Sequence, residues 1–467
     1  MKKALLVLLI LLICIGNISF AQNTQSTSSH NDTSANHKTI ASFFALQASV
    51  RYIYQTSLSA DGSKVAWSAD DSGGQSIHFA PLSNSDKTKR IKASPDNKRC
   101  NETEPQWSAD GKEIAFLSDA QSADQLQIFI ADAATGALLT QQPITHFNGY
   151  VSHLQWSPDG KQLSVLYVEK ASREPSPMAA ENRAVGVIDS MRNNDVQRVA
   201  IINRKSGETK AATPKGLYVF EYDWSPNSKQ LAYLAALPPG DDNWYIAKLY
   251  KQNVLDKDTV LLYQPTFQTA LPRWSADGKQ IAFIEGLMSD QGGTGGEIFV
   301  IDSSGKNKRN LTPKRASTPA WFVWTKDGNM VFTEFVGGSV AINQLNTNNN
   351  TIKTVWKEDA AVRAGNEETS LSIAETKAGL SFAMIQSSWN NLPEVWAGSL
   401  NHLTQITHLN NNIHKPFVRA ANIKWTNENL RVQGWLLYPN NYDSTQKYPM
   451  LVSIHGGPAW ISLPAWS

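Results

Sequence analysis

The sequence predicts a mainly β protein, in which a seven-bladed β-propeller is followed by the first strands of an α/β domain. Two observations lead to this prediction. A phrase of the type W-S-x-D-G-K, followed by an apolar run, returns about every 50 residues, and a different strand pattern begins near residue 422. A fixed period of this length indicates a repeat architecture.

The repeated phrase has the chemistry of a hairpin turn. Gly accepts a positive φ angle and Asp can hydrogen-bond its own backbone, so Asp-Gly joins two antiparallel strands. Four strand-like runs surround each phrase, as in the fifth unit at Ala270–Ser275, Gln280–Ile284, Glu297–Ile301 and Lys308–Thr312. Four antiparallel strands arranged radially form a propeller blade. Seven phrases therefore predict seven blades, with a scaffold role for the phrase itself; they start at Leu58, Trp107, Trp156, Trp224, Trp274, Trp324 and about Leu371.

Residues 1–21 are predicted to be an export signal. Two lysines precede the apolar stretch Leu5–Ile15, and Ser19-Phe20-Ala21 forms a small-residue cleavage site. The alternative is an uncleaved anchor, but the apolar stretch is short for a membrane span. Residues 22–38 are predicted to be a disordered tether, and residues 39–50 a short helix. We therefore expect an exported protein, periplasmic or secreted, without stable membrane insertion after signal cleavage.

Composition narrows the range of partners. The 467 residues carry a formal net charge of +2 and 18% charged residues, without a basic block, which argues against nucleic acid. Cys14 lies in the signal and leaves Cys100 alone, so we expect an inert thiol and no internal disulfide. The His residues lack metal-ligand spacing, and the glycine-rich residues 292–296 lack a phosphate-binding Gly-Lys-Ser/Thr ending. We expect neither a metal nor a cofactor.

Three consecutive blades have long connections between their second and third strands, at residues 169–196, 237–244 and 286–296. Because strands alternate in direction, these loops should gather on one face, opposite the Asp-Gly turns. Loops on a rigid scaffold commonly carry binding residues, and the alternative is that they are tolerated decoration. The candidate substrate contacts on this face are Arg173, Glu174, Glu181, Arg183, Trp244 and Tyr245.

The propeller is predicted to span residues 51–408, and each of its ends is expected to supply its own strands. The first blade has an inner strand near Tyr52–Leu58, and the last blade has an outer strand near Leu403–Thr407. We therefore predict that the ring closes by packing alone, with no strand shared between the first and last blades.

The pattern changes after a polar linker at residues 409–421. A hairpin begins at Asn422, and the apolar strand Met450–Ile454 ends in His455-Gly456-Gly457-Pro458. Together with the blades and the His-Leu-Asn connection at His408–Asn410, this pattern resembles the prolyl oligopeptidase family. The exported bacterial acylaminoacyl-peptidase and dipeptidyl-peptidase-like members are the most similar in kind. The resemblance implies a serine peptidase in which a propeller precedes an α/β-hydrolase domain, with a peptide as substrate.

The resemblance also implies a role for the His-Gly-Gly turn. In α/β-hydrolases, a backbone N–H from this turn stabilises the oxyanion formed at the attacked carbonyl. Gly457 would supply that N–H, with His455 and Gly456 shaping the turn. The nucleophile motif G-x-S-x-G does not occur in the sequence, and in such enzymes the triad follows the turn. We therefore expect residues 422–467 to be an incomplete hydrolase domain, from a truncated gene or a sequence fragment, and the chain as given to be inactive.

Two functions remain open. The first is an exported serine peptidase that hydrolyses short peptides between its propeller and hydrolase domains. The second is a non-catalytic periplasmic propeller, similar to TolB, that binds a protein or peptide. A binding propeller has no use for a strand that ends in His-Gly-Gly-Pro, which favours the first. In either case, we expect Met450–Ile454 to face water with an unpaired backbone edge.

Overall fold

The computed structural model describes residues 41–42, 44–71, 74–94, 99–171, 196–238, 241–255, 258–413, 419–439, 441–457 and 459–466. The chain divides into two units, Met1–Ser49 and Val50–Ser467. In the first unit, residues 41–42 and 44–49 are helical. The expected signal (1–21) and tether (22–38) lie outside the described residues.

The second unit consists of largely antiparallel sheets whose strands follow one another in chain order. The first sheet contains β1 (Ile53–Leu58), β2 (Lys64–Asp71), β3 (Gly74–Pro81), β4 (Lys89–Ile91), β5 (Cys100–Trp107), β6 (Glu113–Ser118) and β7 (Gln127–Asp132). Two four-stranded sheets follow: β8 (Gly149–Trp156), β9 (Gln162–Glu169), β10 (Arg198–Asn203) and β11 (Thr209–Ala211), then β12 (Tyr218–Trp224), β13 (Gln230–Ala236), β14 (Lys248–Asn253) and β15 (Thr259–Tyr263).

The later sheets repeat this order. Two more four-stranded sheets contain β16 (Gln268–Trp274), β17 (Gln280–Gly286), β18 (Glu297–Asp302) and β19 (Arg309–Asn310), then β20 (Thr318–Trp324), β21 (Met330–Val336), β22 (Ser339–Leu345) and β23 (Ile352–Glu358). A five-stranded sheet contains β24 (Ala361–Arg363), β25 (Ser372–Thr376), β26 (Gly379–Ser387), β27 (Glu394–Ser399) and β28 (His402–Gln405). A separate hairpin of β29 (Arg419–Asn427) and β30 (Leu430–Tyr438) follows, and short 3-10 helices lie at Ser85–Lys87 and Asp241–Ile246.

Neighbouring sheets pack face to face through apolar side chains. Leu117 of β6 shares a buried cluster with Val165 of β9, and Val199 of β10 shares one with Tyr233 of β13. Sheets that each pack on the next around a centre form a β-propeller. The prediction of a mainly β protein with a β-propeller is therefore confirmed.

The expected number of blades is wrong. Five sheets, from β8–β11 to β24–β28, are separate four- or five-stranded blades, whereas β1–β7 form one merged sheet. The merger comes from parallel pairing of Gly74 and Gln75 in β3 with Cys100 and Asn101 in β5. Gly74 has φ of +116°, and a Cβ atom there would lie 2.2 Å from the Cys100 carbonyl oxygen, so only glycine permits this approach.

The repeated phrase is a scaffold element, as predicted. Ser108 Oγ donates to Asp110 Oδ1 at 2.7 Å, and the same Oδ1 accepts from Lys112 N at 3.1 Å, while Gly111 has φ of +68°. Three Trp indoles of the phrase bind the preceding inner strand: Trp107 Nε1 donates to Ser57 O and Trp156 Nε1 to Gln106 O, both at 3.0 Å, and Trp324 Nε1 donates to Arg273 O at 3.2 Å. These phrases thus close their own hairpins and fasten them to the inner strand of the preceding repeat.

The degenerate seventh phrase is displaced from its expected position. The residues after Leu371 form strand β25 rather than a turn, and the turn that joins β25 to β26 lies at 377–378. The missing Asp-Gly removed the signal that fixed the turn in the other units.

The ring closes without a shared strand in the part of the chain that the structure describes, as predicted. There β1 pairs with β2, and β28 pairs with β27. The strands of one repeat are called a strand group: β1–β4 are the first, β5–β7 the second, and each later sheet is one group. Ile53 and Trp67 of the first strand group share a buried cluster with Ala383 and Val395 of the last sheet. Packing therefore joins the first and last strand groups.

The segment after the propeller is only partly as expected. The predicted hairpin forms as β29–β30, but the predicted strand Met450–Ile454 does not form. Its side chains face water, with Leu451 90% and Ile454 86% exposed. A strand needs a hydrogen-bonded neighbour, and the described residues after Tyr438 contain no strand that could pair with it.

Candidate functional site

The His-Gly-Gly turn lies at the end of this exposed stretch. Gly457 has φ of +133°, and a Cβ atom there would lie 2.8 Å from Trp460 Cβ, so the turn requires glycine at this position. Gly456 has open space around its Cα, and His455 is exposed with Nδ1 3.2 Å from Gly456 O. The role of Gly457 as an oxyanion donor stays a prediction.

The segment that carries this turn contacts the propeller through connections between second and third strands. Ala459 N donates to Ser289 Oγ at 3.2 Å, and a Cβ atom on Gly293 would lie 3.0 Å from the Trp460 ring, both in the β17–β18 connection. Asn422 Nδ2 donates to Gly337 O at 2.9 Å in the β21–β22 connection.

The third contact is aromatic. The Trp435 ring lies edge-on to Trp389 of the β26–β27 connection, with the ring centroids 5.9 Å apart. Three successive sheets thus contact the segment, and the prediction that residues 422–467 meet the face with the long loops is confirmed for the described residues. We call this surface, formed by the β13–β14, β17–β18, β21–β22 and β26–β27 connections, the loop face.

The predicted substrate contacts have different outcomes. Arg173, Glu174, Glu181 and Arg183 lie outside the described residues. Trp244 is 2% exposed and packs in the core with Ala247 and Met288, so its position speaks against contact with a substrate. A Trp in a polar loop can be read as a rim residue or as an apolar anchor, and here the anchor fills the space under its loop.

Tyr245 is on the surface of the loop face. It is 46% exposed, and its hydroxyl donates to Ser289 O at 2.7 Å, which joins the Asp241–Ile246 turn to the β17–β18 connection. Ile246 and Leu287 beside this contact are 65% and 76% exposed. These two long connections therefore gather on one face, as predicted, and they present apolar surface there. Most of the third long connection, residues 172–195, lies outside the described residues.

A second polar cluster lies where the inner strands line the central channel. Arg273 of β16 pairs with Glu367, with Nη2 2.6 Å from Oε1. Two carboxylates of β12 lie beside them: Glu221 accepts from Leu271 N at 2.6 Å, and Asp223 accepts from Trp274 N at 2.7 Å. One guanidinium thus faces three carboxylates.

Burial changes the protonation of this cluster. It raises the pKa of Glu221 to about 7 and that of Asp223 to about 6, against the opposing attraction of Arg273. Burial likewise raises the pKa of Glu368, next to the ion pair, to about 7. The cluster therefore takes up protons near neutral pH.

Sequence reasoning missed this cluster, although a signal was available. Glu221 and Asp223 occupy the phrase F-E-Y-D-W, and Arg273 occupies L-P-R-W, so these charges stand one or three residues before the Trp of an inner strand. Charges at such positions of a packed strand indicate a lining of the channel.

The described residues contain no candidate metal site, no candidate membrane span and one buried free thiol. No group of three or more His, Cys, Asp or Glu side chains there is placed to hold a metal ion. No helix in the same residues is long and apolar enough to cross a bilayer. Cys100 is 4% exposed, and burial raises the pKa of its thiol to about 11, which agrees with an inert thiol.

Comparison with known proteins gives both sequence relatives and structural neighbours, although no family model matches the chain. It is 30% identical over 154 residues to "Uncharacterized peptidase YuxL" of Bacillus subtilis, covering 30% of this chain and 22% of the relative. It is 24% identical over 249 residues to "Dipeptidyl-peptidase 5" of Schizosaccharomyces pombe, covering 52% of this chain and 35% of the relative. An acylaminoacyl peptidase structure from Pyrococcus horikoshii superposes with a TM-score of 0.60 at 15% identity, covering 85% of this chain and 59% of that one.

The resemblance to the prolyl oligopeptidase family is confirmed. The sequence matches span 22–35% of the length of these two curated relatives, so their whole activity comes to this chain only as a proposal. The structural neighbours show the fold. Among them is the propeller domain of the Trilobed protease from Pyrococcus furiosus, described as having "an open velcro topology", with a TM-score of 0.54, 16% identity and coverage of 77% of this chain and 99% of that one. A propeller that closes without a shared strand, and that is similar in fold to the propellers of these peptidases, thus carries the loop face.

Proposed function

We propose that this chain supplies the propeller and the start of the hydrolase domain of an exported serine peptidase that hydrolyses short peptides. The observation that carries the proposal is the contact of the segment bearing His455-Gly456-Gly457 with the loop face, through Ala459, Trp460, Asn422 and Trp435. A peptide held between the loop face and that segment would have the turn beside it.

The chemistry assigned to the turn is electrostatic. The N–H of Gly457 would donate to the oxyanion that forms when a serine attacks the peptide carbonyl, because a backbone donor fixed beforehand needs no reorganisation in the transition state. A donor without a nucleophile gives only weak catalysis over water. The 467 residues contain no G-x-S-x-G motif, so we propose that this chain by itself does not hydrolyse peptides.

The test compares the 467-residue chain with the product of the same reading frame extended past codon 467 to its next natural stop, which we call the continued form. Both are treated with a fluorophosphonate probe and assayed with aminoacyl and dipeptidyl chromogenic substrates. We expect labelling at a serine and turnover in the continued form alone. Labelling and turnover of the 467-residue chain, or a continued form without either, would overturn the proposal.

The role of the turn has a matched pair of variants. In the continued form, Gly457→Ala should lower kcat by up to about 100-fold, because the added Cβ atom would collide with Trp460 and move the backbone N–H away from the oxyanion. Gly456→Ala should leave kcat nearly unchanged, because nothing lies within 4 Å of a Cβ atom there. Equal loss in the two variants would show that the turn has no specific donor at Gly457.

Export is tested separately. We propose that residues 1–21 are removed and that the mature protein is periplasmic or secreted. Fractionation of cells expressing the full chain, with N-terminal sequencing of the recovered protein, should place the protein outside the cytoplasm with Gln22 first. An intact N-terminus in the cytoplasmic fraction would contradict it.

A further inference from the structure

The inner strand of the last sheet is interrupted. β24 pairs with β26 up to Arg363, and pairing resumes only at Ser372 of β25. The other inner strands, β1, β5, β8, β12, β16 and β20, each have a bulge at the corresponding level. Residues 364–371 therefore replace a bulge with a loop, which we call the channel loop.

The channel loop has a defined conformation. Ser370 Oγ accepts from Gly365 N at 2.9 Å and donates to Glu367 O at 2.8 Å, which ties the two ends of the loop together. Thr369 has φ of +50° and is 2% exposed, and its Oγ1 lies 2.7 Å from Thr333 Oγ1. A β-branched residue keeps a positive φ angle only where its surroundings hold it there.

The loop extends across the channel in both directions. On one side, Asn366 accepts from Gln55 Nε2 of β1 at 2.9 Å and donates to Glu104 Oε1 of β5 at 3.3 Å. On the other side, Glu367 accepts from Trp321 Nε1 of β20 at 3.2 Å and from Arg273 Nη2 of β16 at 2.6 Å.

Strands β5 and β16 lie two strand groups away from the last sheet, in opposite directions around the ring. A loop from the last sheet can bond both of them only by crossing the channel. Its furthest contact, the Arg273–Glu367 pair, ends beside the carboxylates of Glu221 and Asp223 in β12.

Closing the seam of the ring does not require this reach. Thr56 N already donates to Ala364 O at 2.7 Å, Leu58 N to Ser372 Oγ at 2.8 Å, and Arg363 Nη2 to Ile53 O at 3.0 Å. These bonds join the first and last strand groups directly. The further contacts of the loop with β5 and β16 are therefore not needed to close the ring, and their effect is to place the loop across the channel.

We propose that the channel loop is a plug that closes the central channel of the propeller. If the proposed peptidase function holds, on which this part rests, peptides would reach the loop face from the side and not through the channel. The loop would then act as a specificity element, because it would stop extended peptide chains from reaching the loop face through the channel.

The experiment measures access to the channel without using activity. Gln155 of β8 stands one residue before its Trp, as Arg273 does in β16, and the order of the strands puts β8 between β5 and β12 in the ring, away from the sheet that carries the loop. The full chain carrying Gln155→Cys is treated with N-ethylmaleimide and with a maleimide on a bulky polyethylene glycol chain. Mass spectrometry of the peptide containing position 155 separates its labelling from that of Cys100.

A matched variant, Lys112→Cys, places the thiol on an Asp-Gly turn, where the side chain is 81% exposed. With the plug intact, we expect the bulky-to-small labelling ratio at position 155 to be at least about tenfold below that at position 112, because the bulky reagent must wait for the loop to open. Equal ratios at the two positions would overturn the proposal.

Two further variants in the Gln155→Cys background identify the loop as the obstruction. Replacing residues 366–369 by two glycines should raise the bulky labelling toward that of the exposed control. The double variant Asn366→Ala, Glu367→Gln keeps the loop length and should raise the bulky labelling in part. It provides the test if the shortened loop prevents folding. An unchanged ratio in a folded variant would show that the loop does not close the channel. The labelling assay does not depend on catalysis. If the channel proves closed in a protein that has no peptidase activity, the plug is supported and only the proposed peptidase function is contradicted.

Discussion

Removing the side chain of Asn410 should open the seam of the propeller. This residue is 3% exposed and lies just after the last blade. Its Oδ1 accepts from Arg51 N at 2.9 Å, and its Nδ2 donates to Arg51 O at 3.0 Å and to Pro393 O at 3.1 Å. The amide thus binds both backbone groups of Arg51, as a neighbouring strand would, and holds the start of the first strand group against the end of the last.

The magnitude follows from these three bonds. Asn410→Ala leaves three backbone groups without their partner, and each loss in a partly buried position costs about 1 kcal/mol. We expect the free energy of unfolding to fall by about 2–4 kcal/mol, with a fall in Tm of about 2–5 °C, because the entropy of unfolding is large in a unit of this length. The neighbouring variant Asn411→Ala, at an exposed side chain, should change it by less than about 0.5 kcal/mol.

Two measurements check this reasoning. Differential scanning calorimetry should give the difference in Tm between Asn410→Ala and Asn411→Ala, and hydrogen exchange should show faster exchange in Ile53–Leu58 for the first variant alone. Equal Tm values, or unchanged exchange in β1, would refute the view that this amide fastens the ring.

Three further predictions concern charges and backbone. The pKa values of Glu221 and Asp223 are raised to about 7 and about 6, so between about pH 4 and pH 7 the folded chain holds protons that the unfolded chain has lost. Tm should therefore fall as the pH rises through this range. The fall should be smaller in the variants Glu221→Gln and Asp223→Asn. Lys308→Met should cost about 2 kcal/mol in chemical denaturation, because it leaves the Glu285 carboxylate, with its side chain 3% exposed, without its cation. Gly74→Ala should cost about 2–4 kcal/mol and release the pairing of β3 with β5, visible as faster hydrogen exchange in β5, because its Cβ atom would collide with a backbone oxygen.

Each of these has a control in the same chain. An exposed lysine nearby, in Lys306→Met, should leave stability unchanged, so an equal loss there would contradict the argument for Lys308. Gly111→Ala also places a side chain at a positive φ angle but meets nothing within 4 Å, so it isolates the backbone strain from the collision at Gly74. A parallel pH profile in the wild type and the carboxylate variants would remove Glu221 and Asp223 as the cause.

The repeated turns could be predicted because their bonds are local. In each phrase the Asp accepts from groups two residues away, as Asp110 does from Ser108 and Lys112, so the sequence contains the whole interaction. The merged sheet could not be predicted in this way. Its pairing depends on the close approach of Gly74 to Cys100 across the residues between two strand groups, and the glycine alone is also compatible with an ordinary loop.

The strand expected at Met450–Ile454 also could not be decided from its own sequence. Its apolar run satisfies the pattern of a buried strand, but a strand exists only with a hydrogen-bonded neighbour. The described part of the chain supplies none, and four of its five side chains are among the exposed large apolar groups: Met450, Leu451, Val452 and Ile454. A pattern in one segment predicts what that segment can pair with, and the pairing itself depends on what else is present.

The channel loop could not be predicted for both of these reasons: its sequence is compatible with an ordinary turn, and its partners are distant in the chain. The run A-G-N-E-E-T-S has the composition of any polar turn, and its bonds join residues 94, 262 and 311 positions apart, at Arg273, Glu104 and Gln55. Only the ring brings these together, because each inner strand adds one or two polar side chains to the same level of the channel. The charge of Arg273, before its phrase Trp, is visible in the sequence, whereas the carboxylate that neutralises it, Glu367, comes from a sheet two positions further around the ring. In a closed ring of repeats, the residues most informative about function are therefore those that break the repeat at its innermost strand.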